Sequence, residues 1–125
     1  MSKKILVVED DHDILTLVKG LLESEGYEVT ALTYTDAILK TINEYHPDLI
    51  MLDFLLPGVN GGELCHEIKS NVLTAHLPVV MMSAFPRVLE SLGDYGADAF
   101  VPKPFDIHEL LNTVSDCFDN NLAMI

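Results

Sequence analysis

Short apolar runs rich in β-branched residues alternate along the chain with segments of helical period. Ile5-Leu6-Val7-Val8 is apolar on both faces, as a central strand of a parallel sheet must be when helices cover both of its sides. After Glu9-Asp10-Asp11, the residues Ile14, Leu17, Val18, Leu21 and Leu22 recur at i, i+3, i+4, i+7 and i+8. That spacing predicts a first helix with one buried stripe and Gly26 as its stop. Tyr27 to Ala31 reads as a second strand. Ala37, Ile38, Ile42 and Tyr45 mark a second helix, with Thr33 or Thr35 as candidate N-cap and His46-Pro47 at its end. Leu49-Ile50-Met51-Leu52 is another doubly buried strand ending at Asp53, and a loop with Pro57, Gly58, Asn60, Gly61 and Gly62 follows.

A third helix carries Leu64, Cys65 and Ile68, and Pro78 precedes a fourth strand, Val79 to Met82, ending at Ser83. A short fourth helix is expected from Pro86, weakened inside by Gly93. Ala99-Phe100-Val101 is a brief fifth strand. Asp106 and Glu109 then stand at N-cap and N3 spacing before a last helix carrying Ile107, Leu110, Leu111, Val114 and Phe118. Strands alternating with helices through right-handed crossovers leave few topologies, and the expected fold is α/β: a doubly wound five-stranded parallel sheet of order 2-1-3-4-5, flavodoxin-like. Residues 1–125 are read as a single domain with no effector domain in this chain.

Composition narrows the function. Twenty acidic against seven basic residues give a formal net charge of −13, a surface that repels phosphate backbones and anionic lipid. Direct nucleic-acid and membrane contacts are therefore not expected, and the short apolar start without a cleavage site suggests a cytoplasmic protein. Cys65 and Cys117 form no C-x-x-C pair and read as buried thiols.

In such sheets ligands bind beyond the carboxyl ends of the strands. There the sequence puts Glu9 and Asp10 after strand one, Asp53 after strand three, Ser83 after strand four and Lys103 after strand five. An acid after a strand often caps a helix and a lone lysine is usually solvated, so each residue alone carries little. Together, three carboxylates around one crevice repel unless a cation joins them. Oxygen-only ligands favour a hard ion such as Mg²⁺ over zinc, and a divalent ion with Lys103 would cancel the three negative charges. His12 is read as solvated at the start of the first helix, and His66 and Glu67 lack the second histidine of a zinc motif.

The segments Ile5 to Asp11, Pro47 to Asp53, Pro57-Gly58-Val59-Asn60-Gly61, Ser83-Ala84 and Lys103-Pro104-Phe105 resemble those of response-regulator receiver domains, chemotaxis regulators among them, over nearly the whole chain. The resemblance implies a phospho-accepting signalling domain rather than an enzyme. Asp53 would be the acceptor, taking a phosphoryl group from a sensor histidine kinase or a histidine phosphotransfer protein. Asp10, Asp53 and the backbone carbonyl of Leu55 would hold Mg²⁺ directly, and Glu9 would act through a water. Lys103 and the Ser83 hydroxyl would contact phosphoryl oxygens. Ser83 and Phe100 would form the switch, changing a face built from helix four, strand five and helix five for a downstream protein partner. The chain would act as a monomer or as a phosphorylation-dependent dimer.

Two departures stand out. Leu55 and Phe85, each two positions beyond a key residue, are bulky and apolar where the family places side chains that influence attack by water, which implies a long-lived aspartyl phosphate. The interval from Ser83 to Phe100 looks slightly short, which suggests an abbreviated helix four. Lys103-Pro104 resembles the family's cis peptide. A haloacid-dehalogenase-like Mg²⁺-dependent phosphohydrolase would need its D-x-D nucleophile after strand one, and a flavodoxin-like mononucleotide binder a phosphate loop there, where this chain is acidic. A receiver-like scaffold acting without phosphorylation is opposed by the intact Asp53, Ser83 and Lys103.

Overall fold

A computed structural model of the protein describes residues 2–56, 58–84 and 96–123, with side chains up to residue 119. Five parallel strands, β1 (Lys4–Val8), β2 (Glu28–Leu32), β3 (Leu49–Asp53), β4 (Val79–Ser83) and β5 (Ala99–Pro102), form one sheet in the order β2-β1-β3-β4-β5. This is the expected order. Helices α1 (His12–Ser24), α2 (Ile38–Tyr45) and α3 (Gly61–Ser70) and a C-terminal helix (Ile107–Ala123) connect and cover it. The predicted fourth helix, from Pro86 and with Gly93 inside it, lies outside the described residues, as does Phe85.

The doubly apolar runs become strands because successive side chains enter opposite layers. Leu6, Val8, Ile50, Leu52, Val79 and Met81 pack with Ile38 and Ile42 of α2 and with Leu64, Cys65 and Ile68 of α3. Ile5, Val7, Leu49, Met51, Val80 and Met82 pack with Leu15, Val18 and Leu22 of α1 and with Leu110 and Val114 of the C-terminal helix. Each fully buried aliphatic side chain contributes about 1.5–3 kcal/mol, so β1, β3 and β4 form a rigid floor under whatever their ends carry.

Local details differ from the sequence reading at several points. In α1 the buried stripe is Leu15, Val18 and Leu22, while Leu17 is exposed. The α1 N-cap is Asp11, whose carboxylate accepts from the Asp13 and Ile14 N–H groups at 2.9 and 3.1 Å. Gly26 follows the helix end at φ +93°, the left-handed conformation expected of a stop. For α2, neither Thr33 nor Thr35 is the N-cap: Ala37 is, and the Thr35 hydroxyl accepts from the Ala37 N–H from outside the helix. The loop after β3 contains a two-residue antiparallel ribbon, Leu55–Leu56 against Val59–Asn60, and Gly61 and Gly62 belong to α3, capped by Asn60. Asp106 accepts from the Glu109 N–H at 3.0 Å, the predicted cap. Cys65 is buried and its thiol pushed up by burial to about 11, whereas Cys117, also raised by burial, is only half-buried.

Candidate functional site

The carboxyl ends of the strands bring the scattered polar residues together. β1 runs into Glu9, whose N–H continues the ladder to the Leu32 carbonyl at 3.0 Å. β3 delivers Asp53, β4 delivers Ser83, and the Lys103 N–H donates to the Ser83 carbonyl at 2.9 Å beyond the last residue of β5. The Lys103–Pro104 peptide is cis, as the motif suggests. A cavity of about 270 Å³ opens among Glu9, Asp10, Asp53, Leu55, Ser83 and Lys103. A larger one of about 370 Å³ lies at the opposite end of the sheet, lined by Leu39, Ile42 and Leu77 among others, with no carboxylate on its wall. Converging charge, rather than volume, marks the site.

Lys103 Nζ donates to both oxygens of Glu9 at 2.9 and 2.8 Å and lies 3.2 Å from Asp53 Oδ1. Glu9 and Asp53 are almost wholly buried, at 1% and 5% exposure. Burial raises the Glu9 carboxyl to about 7, with Lys103 opposing and the Asp53 charge reinforcing the shift. Burial also lifts Asp53 above the ordinary carboxylate value, against Lys103, Glu9 and a Leu55 backbone hydrogen bond that pull it down. For Lys103 burial disfavours the ammonium, but its bonds to Glu9 and the nearby Asp53 outweigh this, and the net shift is upward. One lysine thus faces two buried acids, with exposed Asp10 a third at the rim.

One oxygen from each of Glu9, Asp10 and Asp53 lies within 4.8 Å of the others, the grouping among the described residues that could hold a metal ion. The donors are all oxygen, the set a hard divalent ion takes. Asp11 also lines the cavity, but its carboxylate is engaged as the α1 cap. His12 is exposed at the first position of α1 and outside the acid group, as expected. Leu55 stands exposed at the rim. Phe100 is 41% exposed on β5 and is not a buried core ring. Sequence reasoning missed Gly61, whose backbone lies against that of Asp53; its place in the Asn-Gly-Gly run offered only a loop signal.

A doubly wound parallel sheet with an acidic crevice over its β1 and β3 ends and a lysine reaching in from beyond β5 is the arrangement that the resemblance to receiver domains implies. The family model described as the response regulator receiver domain matches residues 5–115, and this chain belongs to that family. It is 39% identical over 116 residues to the phosphate regulon transcriptional regulatory protein PhoB of Rhizobium meliloti (strain 1021), covering 91% of this chain and 51% of PhoB. The receiver domain of NtrX from Brucella abortus superposes with a TM-score of 0.82 at 36% identity, covering 92% of this chain and 98% of that one. The signal receiver domain of a signal transduction histidine kinase from Syntrophus aciditrophicus gives 0.87 at 27% identity, over 95% and 92%. The chain spans about half the length of the curated relatives it matches.

Proposed function

We propose that residues 1–125 form one receiver domain in which Asp53 accepts a phosphoryl group from a phosphohistidine of a sensor histidine kinase or a histidine phosphotransfer protein. The observation that carries this is the convergence of Glu9, Asp10 and Asp53 within 4.8 Å, with Lys103 at 3.2 Å from Asp53. An Asp53 carboxylate oxygen attacks phosphorus, the P–N bond breaks, and its electron pair leaves with the imidazole. Lys103, held charged by the acids around it, offers its ammonium to the phosphoryl oxygens, and the Ser83 hydroxyl hydrogen-bonds one of them once the group is attached.

The site's oxygen-only donor set fits Mg²⁺, which Asp10, Asp53 and the Leu55 carbonyl would hold directly and Glu9 through a water. When bound, the ion neutralises the carboxylates and the charge of the transferred group. Ser83 and Phe100 are read as the switch: drawing Ser83 to the phosphoryl oxygen makes room beside β5, and Phe100, exposed here, turns inward. The face of helix four, β5 and the C-terminal helix then meets a downstream protein, with the chain a monomer or a phosphorylation-dependent dimer. Among the described residues no helix is long and apolar enough to cross a membrane, and a cytoplasmic place suits a phosphotransfer partner. PhoB is named a transcriptional regulatory protein, so freedom from direct nucleic-acid contact is proposed for these residues alone, on their charge of −13.

Incubation with acetyl phosphate and Mg²⁺ followed by intact mass tests the assignment. The protein gains one phosphoryl group, Asp53→Asn gains none, and a chelator blocks the gain. Labelling that persists in Asp53→Asn contradicts it.

A further inference from the structure

Gly61 opens α3, yet it is not among the described glycines with positive φ. Space, rather than backbone conformation, demands it. A Cβ built there would penetrate the contact shell of the Asp53 carbonyl oxygen and stand 2.9 Å from Phe54 Cα and 3.0 Å from the Asp53 carbonyl carbon. All three are backbone atoms, which cannot swing aside as the end of a side chain can. By contrast, a Cβ on Gly20, Gly26 or Gly58 meets nothing within 4 Å.

The approach is also bonded in place. The Gly61 N–H donates to the Phe54 carbonyl at 2.8 Å, and the Phe54 N–H donates to Met82 of β4 at 2.9 Å. Separate from these two bonds, the Asn60 side chain accepts from the Gly62 N–H at 2.7 Å, a bond within the α3 cap itself. The first turn of α3 therefore sits on the same stretch of backbone from which the Asp53 side chain projects, with β4 holding that stretch from the other side.

We propose that Gly61 is a positioning residue for Asp53: lacking a side chain, it lets α3 seat against residues 53 and 54 and so fixes how deep the Asp53 carboxylate stands among Lys103, Glu9 and Asp10. The inference rests on the reading of Asp53 as phospho-acceptor. The tolerance is small, since a misplacement of about 1 Å can slow an oriented reaction about 10²-fold.

The test measures acetyl phosphate labelling with Mg²⁺ per folded molecule, beside thermal stability, in the wild type, Gly61→Ala and Asn60→Ala. Asn60→Ala removes the α3 cap without intruding on Asp53. Gly61→Ala slows labelling by about tenfold or more, whereas Asn60→Ala loses stability and keeps the wild-type rate. A Gly61→Ala rate within twofold of wild type, or an equal slowing in Asn60→Ala, overturns the inference. Should Gly61→Ala have no folded population, an ester in place of the Gly61 amide, made by ligation at Cys65, removes the bond to Phe54 while keeping the space. Slowed labelling there supports the clamp and an unchanged rate overturns it. A wild type that takes no label overturns the acceptor reading itself, a result distinct from a labelled wild type with an equally fast Gly61→Ala.

Discussion

Glu9 is the residue on which the chemistry of the crevice turns. Its folded value near 7 stands above the ordinary 4.5, so the folded protein holds a proton that the unfolded chain has released. Stability therefore falls as pH rises between those two values and levels off above them. The expected result is a melting temperature of metal-free protein that drops from pH 5 to pH 8, and a flatter profile for Glu9→Gln; identical profiles would refute the assignment. Mg²⁺ affinity runs the other way, rising through pH 7 as the proton leaves, which titration calorimetry at pH 6 and pH 8 reads directly. Lys103→Met leaves Glu9 and Asp53 without their cation and costs about 3 kcal/mol above pH 7, less at pH 5, in denaturant unfolding. Asp53→Asn removes one member of the same crowded group and raises the melting temperature of the metal-free domain by a few degrees. Leu55, apolar and exposed at the rim, cannot hydrogen-bond an attacking water, so the label on isolated protein outlasts seconds in a time course by intact mass.

At the level of elements, the strands were the legible part. Runs such as Leu49 to Leu52 are apolar on both faces, and only a strand covered on both sides uses such a run, so β1, β3 and β4 and their polar ends follow from pattern alone. Helix α1 was less so: with apolar residues at 14, 15, 17, 18, 21 and 22, two stripes fit the same period. Packing beneath α1 against Val7, Met51 and the C-terminal helix chose Leu15 over Leu17. The α2 cap was missed because Ala37 caps with no side-chain bond of its own, the Thr35 hydroxyl reaching its N–H from two residues away. The roles of adjacent Asp10 and Asp11 are also indistinguishable by residue type; only the turn into α1 makes Asp11 the cap and leaves Asp10 at the crevice. Asp11→Ala is accordingly expected to cost about 1 kcal/mol of stability while leaving Mg²⁺ affinity unchanged, and a parallel loss of affinity would place Asp11 among the ligands.

For the molecule as a whole, a −13 chain concentrates three acids at one end of its sheet and answers them with one lysine. Mg²⁺ bound by the folded form alone stabilises it by mass action, about 2.7 kcal/mol at a hundredfold excess over Kd. Melting temperature should therefore climb with Mg²⁺ and should do so far less in Asp53→Asn. The most direct test of the central claim is a crystal structure grown with Mg²⁺ and beryllofluoride. The ion is expected among Asp10, Asp53 and the Leu55 carbonyl, and the fluoride adduct on Asp53 within reach of Lys103 and Ser83; a crevice with neither would contradict the assignment of Asp53 as phospho-acceptor.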